Sequence, residues 1–293
     1  MSGLSSREAP MSRKQNSRLE GGARLRGIHK KTEPGMPLIT VLTVVYNRSQ
    51  HLERAIESVV SQSYPNLEYI VVDGASTDGT LDIIKKYDHS IDYWISEPDH
   101  GMYYALNKGI GLAHGDMIGL VHSDDFFLSK AVVSKVAAQM QELDSDIYHG
   151  DALSIMEYET YCSLQYLNAD HTRILKTHKG IVHPASFISS KVYRETGGYD
   201  THYRSASDYE LFIRCVKSGY TISHLNFPVC GISISGNDRI SNNCYAHREA
   251  YSFHKAHDTG NHRQYMISYL ECHLRRLVRK MINGARNWSR AKN

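Results

Sequence analysis

The chain has 293 residues, 41% of them apolar and 22% charged, with a net charge of +3. This is the balance of an ordinary globular protein, long enough to bury a substantial core in one or two domains. So small a positive excess argues against a nucleic-acid partner, and no apolar run approaches the ~20 residues that cross a bilayer. The cysteines (Cys162, Cys215, Cys230, Cys244 and Cys272) are scattered, odd in number and without a CxxC pair. That pattern speaks against a disulfide framework or a zinc site and predicts free thiols in a reducing compartment.

Residues 1–36 are polar, rich in Ser, Gly and Arg and without periodicity, which predicts a disordered basic tail. No apolar core of a signal peptide is present, and Glu8, Glu20 and Glu33 count against an organelle transit peptide. Met36, directly before "PLITVLTVVYN", is an alternative natural start. From Leu38 strands and helices alternate. "LITVLTVVY" is rich in β-branched residues, and Ser49–Gln62 places Leu52, Ala55, Ile56, Val59 and Val60 on one helical face. "LEYIVVD" is a second strand, Thr77–Tyr87 a helix, "IDYWISE" a third strand, Gly101–His114 a helix and "DMIGLVH" a fourth strand. Near-continuous apolar strands between helices predict an α/β fold with a mostly parallel central sheet covered by helices. "GIGLAHG", Gly109–Gly115, imitates a dinucleotide-binding loop, but it ends a helix and precedes a strand, the reverse of what pyrophosphate binding requires. Gly115 is expected to serve as that helix's C-cap.

In such a sheet ligands bind at the carboxyl ends of the strands. Those ends read Tyr46-Asn47-Arg48, Asp73-Gly74, Glu97-Pro98-Asp99 and His122-Ser123-Asp124-Asp125. Turn chemistry favours Asn, Asp and Gly at any one of them, but all of them polar and most acidic at one edge point to a binding site. A carboxylate-rich edge repels an anionic substrate unless a cation intervenes, and Mg²⁺ or Mn²⁺ commonly bridges one or two carboxylates to phosphate oxygens. Asp124 is therefore the candidate metal ligand, with Asp125 orienting it from behind. Such an ion stabilises charge on a leaving phosphate, as when a nucleoside diphosphate departs from a sugar.

"TVVYN", "VVDGASTDGT", "EPDHGMYYALNKGI", "HSDD", "HPASFISSKVYRETGGYD" and "SDYELFIR", in that order, resemble glycosyltransferase family 2, inverting enzymes of the GT-A fold. The forms are closest to the branch that builds bacterial capsule, exopolysaccharide and O-antigen chains. The resemblance spans roughly residues 37–235. It implies a catalytic domain over 37–240, with a nucleotide-sugar half (37–125) and an acceptor half (126–240), followed by a helical basic extension (241–293). It also implies a nucleotide-diphospho-sugar donor, a lipid-linked or saccharide acceptor, and a cytoplasmic enzyme, peripheral on the inner face of the cytoplasmic membrane.

The resemblance assigns Tyr46, Asn47, Asp73, Asp99, Asn107, Lys108, Ser123 and Asp124 to the nucleotide-sugar site, with Asp73 reading the base. Lys108 has an alternative as a solvated helix lysine, and Asp78 is expected to cap the following helix. Asp124 matches the last acid of the family's D-x-D element. His122 stands where the first Asp is usual, and Gly74-Ala75 where many members have Asp-Gly, which removes a carboxylate from the nucleotide pocket. Asp208 in "SASDYELFIRC" matches the family's base, and Ser207 replaces the usual Glu before it. A positioned carboxylate that takes the acceptor's proton typically contributes ~10²–10⁴-fold. Asp208 also reads as the N-cap of a helix over Tyr209–Ser218, where the helix N-terminus would lower its pKa. His183 is either an acceptor contact or a buried structural histidine, and Arg214 and Arg239 are phosphate or acceptor contacts or solvated surface.

Tyr265–Ile282 predicts a helix with Met266, Leu270, Leu274, Leu277 and Met281 on one stripe, flanked by Arg275, Arg276, Arg279 and Lys280. It can lie on an anionic membrane surface or pack against the catalytic domain. Readings in competition with a transferase are a binding module that has lost turnover and a nucleotide-sugar hydrolase.

Overall fold

The computed structural model describes residues 18–157, 162–175, 180–234, 245–259 and 262–290. The first half is a βα repeat: β1 (Leu19–Gly21), β2 (Ile39–Val45), α1 (Ser49–Val60), β3 (Leu67–Asp73), α2 (Thr80–Lys86), β4 (Tyr93–Ser96), α3 (Met102–Leu112) and β5 (Met117–Leu120). The second half contains β6 (Phe126–Phe127), α4 (Val132–Glu142), β7 (Ile147–Glu157), β8 (Cys162–Leu167), β9 (Ser186–Ser189), α5 (Ser190–Thr196), α6 (Ser207–Lys217) and β10 (Ile222–Ile234). Two helices follow, α7 (Tyr245–Ala256) and α8 (His262–Arg290).

The strands form one sheet in the order β1-β4-β3-β2-β5-β9-β7-β10-β6, with β8 paired to β7. β4, β3, β2 and β5 run parallel, and β9 enters antiparallel between β5 and β7. Every residue of β2 and β3 is buried because helices cover both faces. Val41 and Val45 of β2 join the core with Leu52, Ile56 and Val59 of α1. Leu42 and Val44 point the other way, into the core with Leu106 of α3 and Leu211 and Phe212 of α6. This alternation is the strand's period of two.

The expected disordered tail needs correcting over residues 18–36. β1 pairs antiparallel with β4, and the Ala23 N–H donates to the Ile91 carbonyl at 3.0 Å. Arg24 pairs with the buried Glu68, and Lys30 pairs with Asp92 at 2.9 Å. Charged side chains rather than an apolar stripe anchor this strap, so no hydrophobic period announces it. Residues 1–17 and Arg239 lie outside the described residues, as does the expected boundary at 240/241.

Cys215 and Cys230 are buried free thiols, whereas Cys272 is disulfide-bonded, contrary to the expectation that all are reduced. Gly115 is not a helix cap either, since α3 ends at Leu112 with Ala113 as its cap. A Cβ at Gly115 would lie 2.5 Å from Thr40 Oγ1 and 2.6 Å from Thr40 N, so the glycine permits close passage of two backbones. α8 extends beyond the expected helix at both ends and leaves Ile267, Leu270, Leu274, Leu277 and Met281 exposed.

Candidate active site

Because β4, β3, β2 and β5 are parallel, their polar termini share one edge. Tyr46, after β2, is 63% exposed there. Asn47 has φ 51°, a left-handed conformation that Asn tolerates better than most residues. Its N–H donates to Ser76 Oγ and its Oδ1 accepts from the Thr77 N–H, both at 2.8 Å. Asp73 is placed otherwise than expected, because it is fully buried. Its oxygens accept from the Ser76 N–H at 3.1 Å, from the Ser76 hydroxyl, and from the Ser96 hydroxyl at 2.6 Å. Asp73 thus anchors the loop after β3 and presents no free carboxylate to a base. Asp78 does not sit at the N-cap of α2, which is Gly79. It accepts from the Thr80 and Ser49 N–H groups, both at 3.1 Å, tying the loop to α1.

Beyond β5 the Asp125 N–H donates to the His122 carbonyl at 3.0 Å, closing a tight turn. Ser123 and Asp125 are buried, while His122 and Asp124 stay half-buried. Asp125 lies close enough to the buried Cys230 thiol to raise its pKa, so it faces the body of the protein. Arg54 of α1 donates to the Asp124 carbonyl at 3.0 Å and to Ser233 Oγ at 2.5 Å. Its guanidinium also lies 4.3 Å from the centre of the Phe126 ring. Arg54 therefore fixes the backbone that carries Asp124. No motif points to it, because the contact joins residues 70 positions apart.

The second half of the chain supplies Asp208. α6 begins at Ser207 with Ala206 as its N-cap, so Asp208 sits in the first turn and is not itself the cap. Tyr103 of α3 donates to Asp208 Oδ1 at 3.0 Å, and its hydroxyl accepts the Ser207 N–H at 3.2 Å. His183 Nδ1 lies 3.9 Å from Asp208 Oδ2, while its Nε2 shares a 2.7 Å hydrogen bond with the Tyr199 hydroxyl. Asn107 binds both backbone groups of Tyr199, at 2.8 and 2.9 Å, so it ties α3 to the segment before α6 and keeps one N–H and one lone pair for a further partner. Lys108 pairs with Glu97 at 2.7 Å. Arg214 binds Glu210 and the Thr196 and Gly198 carbonyls, a structural role. Tyr103 and Tyr199, to which no sequence motif drew attention, hold Asp208 and His183 respectively.

Electrostatics join these two sides. Burial pushes His122 down to about 4, helped by His183, while Asp124 and Asp208 both pull it upward. His122 is two residues from Asp124 and its ring lies 5.6 Å from that of His183, whose Nδ1 is 3.9 Å from Asp208 Oδ2, so the turn carrying Asp124 and the start of α6 are neighbours. Burial also pushes His183 down to about 4. Both rings, 5.6 Å apart, are neutral at neutral pH, so the 3.9 Å approach to Asp208 is not an ion pair. Burial raises Asp208 above the ordinary carboxylate value, against the lowering by the Tyr103 hydroxyl and nearby backbone N–H groups. Desolvation therefore outweighs the helix terminus that the sequence suggested would dominate.

Among the described residues, Asp124 forms no ion pair with Lys or Arg, and no cluster of three or more His, Cys, Asp or Glu side chains is poised as a metal cage. A divalent ion held by the Asp124 carboxylate would have to complete its shell with substrate phosphates and water, as Mg²⁺ or Mn²⁺ can.

Comparison with known proteins bears on the family and the fold. Glycosyl transferase family 2 matches residues 40–196, more than half of the chain. An uncharacterized glycosyltransferase of Mycobacterium tuberculosis is 30% identical over 192 residues, covering 61% of this chain and 68% of the relative. Among solved structures, Staphylococcus aureus TarS 1–349 in complex with UDP-GlcNAc superposes with a TM-score of 0.62 at 17% identity, over 80% of this chain and 72% of that one. The mannosyltransferase PcManGT from Pyrobaculum calidifontis, in complex with GDP-Man and Mn²⁺, gives 0.59 at 16% identity, over 78% and 66%.

Proposed function

Because the chain belongs to glycosyl transferase family 2, we propose that it is a metal-dependent inverting enzyme that moves a sugar from a nucleotide-diphospho-sugar to an acceptor hydroxyl. The observation that carries this reading is the chain of short approaches from the Asp124 turn to Asp208: the His122 ring lies 5.6 Å from the His183 ring, whose Nδ1 lies 3.9 Å from Asp208 Oδ2. Asp124, held by Arg54 through its backbone, would ligate Mg²⁺ or Mn²⁺, with His122 and Ser123 beside it. The bound ion supplies Lewis-acid stabilisation of the charge that develops on the leaving diphosphate.

The remaining roles fall to the chain's own groups. Tyr46 offers an exposed ring on which a base can lie. Asp208 accepts the proton of the acceptor hydroxyl as that oxygen attacks the anomeric carbon opposite the diphosphate. Its raised pKa makes it a stronger base than a surface carboxylate. Tyr103 holds it from one side, and His183, itself fixed by Tyr199, lies on the other. Asp73, Asn47, Asn107 and Asp125 shape the walls from within.

The acceptor is a lipid-linked saccharide in surface polysaccharide or glycolipid synthesis. Among the described residues no helix is long and apolar enough to cross a membrane. α8 instead exposes an apolar stripe in a segment rich in Arg and Lys, the combination that lies on anionic lipid. That stripe supports our reading that the enzyme works at the inner face of the cytoplasmic membrane.

Asp208→Asn tests the reading most directly. It should cut transfer by ~10²–10⁴-fold while leaving the affinity for the nucleotide sugar, measured calorimetrically, nearly unchanged. Unaltered turnover would remove Asp208 from the mechanism.

A further inference from the structure

The donor side of the cleft contains a notch at Gly74. Asp73, expected to read the base, is fully buried and bonded to Ser76 and Ser96. The next residue, Gly74, has no side chain at all. A Cβ built on Gly74 would lie 2.9 Å from Asp99 Oδ2, 3.4 Å from Asp99 Cγ and 3.2 Å from Tyr46 Cδ2. The carboxylate of Asp99, arriving from the loop between β4 and α3, thus stands in the space a side chain at 74 would fill, close beside the exposed Tyr46 ring. Gly74 is not among the residues with positive φ, so its backbone does not demand glycine. What the glycine provides is room. Asp99 Oδ1 is held by the Gly101 N–H at 2.8 Å, which leaves Oδ2 as the oxygen turned to the notch.

We infer that Asp99 is the base-reading residue of the donor site proposed above, a reading on which this inference rests: its Oδ2 accepts the N3–H of a uracil or thymine ring that lies on Tyr46. An ionised carboxylate is an acceptor only. It matches the imide edge of these pyrimidines and opposes cytosine, whose N3 is itself an acceptor. Guanine presents adjacent N–H donors that pair best with both oxygens of a carboxylate, and here one oxygen is committed to Gly101. A site built to accept an N–H rejects the analogue that lacks it because its own polar group is then left unpaired.

Calorimetric titration of the full chain at fixed Mn²⁺ with UDP, dTDP, CDP and GDP tests this. UDP and dTDP should bind about tenfold or more tighter than CDP and GDP. Asp99→Asn places an N–H donor beside the base and should bring UDP and CDP within about threefold of each other. Gly74→Ala keeps the carboxylate but pushes it out of the notch, and should erase the same preference without removing any polar group. Unchanged melting temperatures would verify that both variants are folded. The inference is overturned if wild type binds CDP or GDP as tightly as UDP, or if both variants keep the wild-type ratio. Absence of binding by every nucleoside diphosphate would instead overturn the donor-site reading itself, and the inference with it.

Discussion

The two ends of the parallel strands treat the same chemical group in opposite ways. At the amino ends, acids are compensated: Glu68 near the start of β3 is matched by Arg24, and Asp92 just before β4 by Lys30. Asp116, before β5, accepts from the Leu38 N–H at 3.0 Å. At the carboxyl ends Glu97 is matched by Lys108, but Asp124 and Asp99 have no Lys or Arg partner among the described residues, and Asp208 faces a neutral imidazole. Charge that serves only the fold is neutralised within the chain. The acids to which a ligand-binding or catalytic role is proposed lack such a partner.

Substitutions at the two ends should therefore have opposite consequences. Asp124→Asn is expected to lower kcat/KM by about 10³-fold, the several kcal/mol carried by a metal-stabilised leaving group. It should also abolish Mn²⁺-dependent nucleotide binding while leaving the melting temperature at or above wild type. Loss of activity accompanied by unfolding would break the contrast. Arg24→Met, at the other end, strands the buried Glu68 and should cost about 3–5 kcal/mol in denaturant unfolding. Kinetic constants of the folded fraction should not change, and a changed KM would mean that the strap reaches the cleft.

Tyr103→Phe sharpens the comparison within the cleft. It removes a hydrogen bond to a charged acceptor and should lower kcat about tenfold at neutral pH. The base must be deprotonated, so activity falls as pH drops through the Asp208 pKa. The Tyr103 hydroxyl lowers that pKa against the dominant effect of burial. Its loss should therefore move the acid limb of the pH–rate profile to higher pH, where a merely structural role for Tyr103 would leave the limb in place.

The first half of the fold was legible because its signals are local. "LEYIVVD" forms β3 over the predicted residues, and the apolar face of α1 buries Leu52, Ala55, Ile56 and Val59. Helix ends were less accurate, as at α2, which starts at Thr80 and not Thr77. Motif order brought Tyr46, Asp99, Asp124 and Asp208 forward, but it could not tell an acid facing the cleft from one facing the core. Asp73 and Asp125 both lie inside, because the residues that engage or surround them, Ser96 and Cys230, come from other strands.

The sequence alone determined the alternation of strand and helix, the polar strand termini and the family, since all three depend on residue type at short spacing. Only the tertiary structure decided which carboxylates are satisfied, that Arg54 and Tyr103 support the two acids of the cleft, and that Asp99 fills the notch left by Gly74. Those outcomes depend on desolvation and on contacts between residues far apart along the chain, and no local pattern encodes either.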